Sequence, residues 1–283
     1  MVTGHRSVNR KSLVPPNEVA MDTPQAPAPS VGIRLEQRPE GTIAFVTIDN
    51  AAKLNTLGSA LMISFVEQVE ALGAREDLRA VVLTGAGARA FIGGANIVEM
   101  AALDAAGAQA FITLVHRTCN CLRELPVPVI ARVNGYTLGA GLEVAAACDL
   151  RVASSNAVFG MPEVRVGIPS VVEAALLPGL IGWGRTRELL LFGENIDAAT
   201  ALAWGLVQQV VAPADLDSAI EARLGQLLSA GPQAIRLQKA LMRQWEDSTL
   251  SQAVRAGIES FAQAYAGDEP TRMMSTFAKR RRA

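Results

Sequence analysis

The sequence predicts an α/β fold, and three features point to it. Apolar runs of strand length alternate with segments whose apolar residues recur at helical spacing. Glycine-bearing turns stand where the apolar runs end and a helical pattern begins. Beyond Pro169 the pattern becomes helical almost throughout.

Residues 1–30 come first. They are polar, carry Pro15-Pro16 and then PQAPAPS, and show no periodicity, so a disordered extension is expected. His5, Arg6, Arg10 and Lys11 precede any acidic residue, as in an organellar transit peptide. An untargeted tail, or a true start at Met21, is the simpler reading. Ile33–Gln37 and Thr42–Ile48 flank Pro39-Glu40-Gly41 and read as a hairpin. Asp49 to Asn55 is a polar loop. Leu57–Leu72 is a helix, with Leu61, Phe65, Val69 and Leu72 at helical spacing. Ala80–Thr84 is a buried-type strand followed by a glycine-rich loop. Helical patterns start at Ile97 and span Gln109–Leu125, and Val127–Val133 is again a strand. No exact internal repeat is visible.

The C-terminal third predicts helices at Val171–Ile181, Thr186–Phe192, Ala198–Trp204, Leu216–Leu228, Pro232–Gln244 and Leu250–Ala266. A strand, Leu206–Val211, interrupts them. We divide the chain into an extension (1–30), a core holding the site (31–212) and a helical region (213–283).

Composition excludes several function classes. Hydrophobic residues are 50% of the 283-residue chain and charged residues 19%, which fits a globular enzyme. The net charge of -1 gives no electrostatic case for nucleic acid. No apolar run reaches bilayer-spanning length, so no membrane partner is expected. Cys119, Cys121 and Cys148 form an odd set without secretory signs and read as reduced thiols, which implies a cytoplasmic enzyme. With His5 and His116 the only histidines, no metal site is expected.

The chemistry concentrates between Val129 and Pro169, around Glu143 and Glu163. A single glutamate is ordinarily a solvated surface residue. Glu143, however, lies among Leu142, Val144 and alanines, in the first turn of a helix that follows Leu138-Gly139-Ala140-Gly141. Burial pushes a carboxyl pKa toward neutrality, the condition for acid–base work. The N–H groups at a helix start have no intrahelical acceptor, and small residues let a substrate oxygen approach them. Phe91-Ile92-Gly93-Gly94-Ala95-Asn96-Ile97 is a second bare loop, with Gly93 its expected N–H donor.

Four stretches, VVLTGAGARAFIGGANI, VIARVNGYTLGAGLEVAAACDLRVA, FGMPEVRVGIP and FGENIDAATALAWGLVQQVV, resemble the enoyl-CoA hydratase/isomerase (crotonase) superfamily in order and spacing. The resemblance runs from about Ile33 to the C-terminus. It implies a crotonase-type spiral of strand–strand–helix units with a helical C-terminal oligomerisation region, and homotrimers that pair into homohexamers. It implies a coenzyme A thioester as substrate, so no separate cofactor. One oxyanion-hole N–H falls on Gly93 and the other on Ala140, where the family usually has glycine. Both glutamates being present resembles the hydratases: Glu143 and Glu163 activate water for attack at C3, and Glu163 delivers a proton to C2.

The same resemblance places coenzyme A against Lys53-Leu54 and Ala95-Asn96-Ile97, with Phe277 and Lys279 reaching a neighbouring subunit's ligand. Asn96 stands where aspartate is common. Met100, Leu103, Val115 and Trp183 are expected pocket walls. Ser170-Val171-Val172-Glu173 replaces a glycine-rich segment, and its β-branched residues predict a stiffer wall. Glu173 is either a third carboxylate near the acyl group or, more simply, an acid favoured by a helix N-terminus. The alternatives to a 2-enoyl-CoA hydratase are an enoyl-CoA isomerase, an aromatic acyl-CoA hydratase-lyase and a non-catalytic RNA-binding homologue.

Overall fold

The computed structural model describes Met1 and residues 28–280. Residues 2–27, most of the expected extension, lie outside the described residues, as do 281–283 at the end of the basic C-terminal run. Strands β1 (Ser30–Arg38) and β2 (Gly41–Asp49) form the expected hairpin, with Arg38 opposite Gly41 across Pro39-Glu40. Helix α1 (Ser59–Gly73) buries Leu61, Phe65, Val69 and Leu72, the face that the spacing predicts.

Three units of similar plan follow. The first is β3 (Leu78–Gly85), β4 (Ala90–Ile92), the single turn α2 (Ile97–Met100) and the long α3 (Ala105–Glu124). The second is β5 (Val129–Val133), β6 (Tyr136–Leu138) and α4 (Ala140–Ala147). The third is β7 (Leu150–Ser154), β8 (Val158–Gly160) and two 3₁₀ turns, Pro162–Val166 and Val172–Leu176. In each unit the first strand joins a six-stranded sheet and the second joins a smaller four-stranded one. The chain therefore winds as the expected spiral.

The remaining elements are α5 (Leu177–Phe192), β9 (Ile196–Asp197), α6 (Ala198–Trp204), β10 (Gln209–Val211), α7 (Leu216–Leu228), α8 (Pro232–Glu246), α9 (Leu250–Ala264) and α10 (Glu269–Arg280). The large sheet runs β1-β2-β3-β5-β7-β10, parallel from β2 onward. The small sheet runs β4-β6-β8-β9. One apolar core lies between these sheets and α1, α3 and α4. A second packs Leu216, Ile220 and Leu224 of α7 on Ile43, Val82 and Ile130 of the large sheet.

Several expectations need correction. The helix expected to begin at Val171 starts as a 3₁₀ turn and enters α5, which Gly182 breaks with φ 77° and ψ 158° before the segment expected from Thr186. Strand β10 begins at Gln209 rather than Leu206, because Leu206 and Val207 are drawn into the core. Strand β7 does not read as an apolar run because Arg151 interrupts it. That arginine is buried, with its guanidinium donating to the carbonyls of Ala145, Cys148 and Leu206. Short β4, β6, β8 and β9 carry too few residues to show periodicity.

Trp183, Leu191 and Phe192 of α5 and Leu250, Val254, Ile258 and Phe261 of α9 are exposed. Among the described residues no helix is long and apolar enough to cross a membrane.

Candidate active site

A cavity of about 290 Å³ opens beside the start of α4. Met100, Phe111, Ile112, Val115 and Leu138 give it an apolar wall, and Glu143 and Glu163 both line it. The fold brings the two glutamates together through one turn. Gly139 takes φ 53° and ψ -124°, which turns the chain sharply from β6 into α4. A side chain at Gly139 would run into Glu163 Oε1, and one at Gly141 would collide with the Ile92 carbonyl. The small residues are therefore required by close approach: α4 must sit against β4, and the Glu163 carboxyl against the turn.

Glu143 is buried, at 4% exposure. Its Oε1 accepts from the Ala174 N–H at 3.3 Å, a donor shared with the Val171 carbonyl at 2.9 Å. Burial pushes its carboxyl up to about 8. The charge of Glu163 and, less, that of Glu173 add to this, while the N–H groups of Ala174 and Val171 oppose it. Glu163 lies half-buried in the 3₁₀ turn Pro162–Val166, which Pro162 opens. Burial raises its pKa as well, opposed by its own N–H and by Ser170. The Ser170 hydroxyl donates to Glu163 Oε2 at 2.8 Å.

Ala140 is the first residue of α4, so its N–H has no intrahelical acceptor, and it lines the cavity. The second expected donor needs correction. The Gly93 N–H is already given to the Leu54 carbonyl at 2.8 Å. Leu57 and Asn96 bridge the same loop by Leu57 N–H to Gly94 O and Asn96 N–H to Leu57 O. This leaves the N–H groups of Gly94 and Ala95 without an acceptor among the described residues, both at the cavity wall. Either is better placed to donate than Gly93.

A profile of the Enoyl-CoA hydratase/isomerase family matches residues 38–283. The chain belongs to this family. It is 34% identical over 244 residues to the short-chain-enoyl-CoA hydratase of Clostridium acetobutylicum, covering 86% of this chain and 94% of the relative. It is 33% identical over 245 residues to the crotonyl-CoA hydratase of Syntrophomonas wolfei, with coverages of 86% and 94%. The solved enoyl-CoA hydratase of Mycobacterium smegmatis superposes with a TM-score of 0.83 at 28% identity, covering 88% of this chain and 96% of that one.

The other residues singled out by family resemblance fall into two groups. Leu54, Ala95, Asn96 and Ile97 cluster at one side of the cavity, and Ala95 and Ile97 line it. Lys53 is exposed in the short 3₁₀ turn Ala51–Lys53 just before them. Lys279 is exposed on α10, on the same helix as Phe277. Asn96 has a second occupation: its side chain caps α2, accepting from Val98 and Glu99 N–H at 3.2 and 3.4 Å. Asn96→Ala is therefore expected to cost about 1 kcal/mol of stability, read as a lowered Tm.

Of the expected walls, Met100 and Val115 line the cavity, but Leu103 packs into the core and Trp183 is exposed. Phe111 and Ile112, one helical turn before Val115, form the wall instead. Glu173 is an acid in the first turn of Val172–Leu176, as expected, but it is also buried, at 5% exposure, with Oε1 2.7 Å from His116 Nδ1. His116 and Thr56, which also lines the cavity, carry no sequence signal of a role here, and Ser170, singled out only as part of a departure from the family pattern, acts through its hydroxyl on Glu163.

Proposed function

We propose that this enzyme is a 2-enoyl-CoA hydratase, adding water across the 2,3 double bond to give a 3-hydroxyacyl-CoA. The observation that carries this is the pair Glu143 and Glu163 lining one cavity, beside the Ala140 N–H, which has no acceptor among the described residues. The names of the Clostridium and Syntrophomonas relatives support the same reaction.

The thioester oxygen sits between the N–H groups of Ala140 and of Gly94 or Ala95, which stabilise an enolate as charge develops there. A water held between the carboxyls attacks C3. Glu163, ionised and steadied by the Ser170 hydroxyl, takes one proton from that water and delivers it to C2. The remaining hydroxyl stays on C3, so one water supplies both groups. Glu143, which keeps its proton to about pH 8, orients the water without adding a second negative charge beside the enolate. Coenzyme A enters past Lys53-Leu54 and Ala95-Asn96-Ile97. Lys279 and Phe277 serve a neighbouring subunit, and the exposed apolar faces of α5 and α9 support a homotrimer or homohexamer. Free buried cysteines accord with a cytoplasmic setting.

The test is loss of enoyl-thioester absorbance with crotonyl-CoA. Hydration is expected, and its absence with short, medium and aryl enoyl thioesters would overturn the proposal. The profile of kcat/KM is expected to fall on both sides. The acid limb follows protonation of Glu163. The alkaline limb, near pH 8, follows ionisation of Glu143. A profile flat from pH 7 to 9 would contradict the role given to Glu143.

A further inference from the structure

The stretch Ser170-Val171-Val172-Glu173 contains a strained residue. Val172 has φ 39°, in the left-handed region where a β-branched side chain is rarely found. It opens the 3₁₀ turn Val172–Leu176, the turn whose Ala174 N–H reaches Glu143. Such a conformation persists where its surroundings hold it. The neighbouring Glu173 supplies a hold: its buried Oε1 meets His116 Nδ1, 2.7 Å away on α3. Its Oε2 is buried with no partner among the described residues, so Glu173 has His116 as its partner in this turn. The His116 side chain is half exposed, and neither residue lines the cavity.

We propose that His116 and Glu173 are positioning residues, a clamp from α3 onto the strained turn that keeps the Ala174 N–H on Glu143. The inference rests on Glu143 being a working carboxyl of the proposed reaction. Three titratable groups act on that carboxyl or are acted on by it: Glu163 from the first 3₁₀ turn, Glu173 from the second, and Cys119 from α3, whose buried thiol stays protonated. The clamp sets how much of the Glu173 charge Glu143 feels and whether its N–H donor stays in place.

Two variants separate clamp from charge. Glu173→Gln keeps an oxygen for His116 and removes the negative charge, so Glu143 should titrate at lower pH. His116→Ala removes the hydrogen-bond partner of Glu173 Oε1 and releases the turn, so the Ala174 N–H withdraws and Glu143 should titrate at higher pH. Shifts of about half a pH unit or more are expected. His116→Asn, whose amide N–H can stand where Nδ1 was, should restore the wild-type value. It also keeps the test usable if the alanine variant fails to fold.

The readout is a pH-difference infrared titration of the protonated carboxyl band, with the Glu143 component assigned by its loss in Glu143→Gln. In parallel, His116→Ala should lower kcat with crotonyl-CoA about tenfold while changing KM less than twofold. Lowered Tm in both variants with an unmoved Glu143 titration would overturn the proposal and leave a structural role. Opposite shifts in the two variants, together with a wild type that hydrates no enoyl thioester, would instead overturn the hydratase reading and leave the clamp standing.

Discussion

Glu163→Gln is expected to lower kcat for crotonyl-CoA hydration by about a thousandfold, with KM within about threefold of wild type. Positioned acid–base groups contribute two to four powers of ten, and in the proposed reaction Glu163 handles the proton twice. Glutamine keeps the shape and can still accept the Ser170 hydroxyl bond seen at Oε2, so the loop from Pro162 to Ser170 should hold its place. What disappears is a group able to take a proton from water. Ser170→Ala provides the graded control. It removes a bond to the ionised oxygen without removing the carboxylate, and its effect on kcat should be about tenfold or less. Near-wild-type turnover in Glu163→Gln would remove Glu163 from proton transfer and leave Glu143 to be tested alone.

Much of this site was legible in the order of residues, and the reasons for the misses are physical. Glu143 was readable because its neighbours are apolar and small, and burial follows from that pattern. The donor loop was readable as a loop, but not to the residue. Which N–H stays free is decided by the Leu54 carbonyl, which takes the Gly93 N–H and leaves those of Gly94 and Ala95 at the cavity wall. That choice is made by a contact between distant segments. Glu173 illustrates the same limit. Beside a helix start it reads as a dipole-favoured acid, and the partner of its buried carboxyl, His116, is 57 positions away in the chain. Long helices such as α1 and α7 announce themselves by spacing, whereas β4 and β6 do not, although β6 ends at the cavity-lining Leu138.

Stability at Glu143 should run against activity. Glu143→Gln is expected to abolish most hydration and yet raise the melting temperature, by an amount that grows with pH. The folded carboxyl titrates near 8 and an unfolded one near 4.5. Between those values the folded chain holds a proton that the unfolded chain releases, so raising the pH through this window destabilises the fold. Glutamine carries no ionisable group and can still accept the Ala174 N–H, so it escapes that penalty. At pH 5 the variant and wild type should melt within about a degree of each other. Near pH 8 the variant should be more stable by about 3 kcal/mol, or several degrees for a chain of this size. Calorimetry across that range is the check. A difference that stays constant with pH would mean that burial does not hold the proton on Glu143. It would also remove the reason for assigning the alkaline limb of the rate profile to this residue. A difference that widens with pH would show that the fold carries a strained carboxyl, one whose burial costs stability and supplies the neutral partner that hydration needs beside an ionised Glu163.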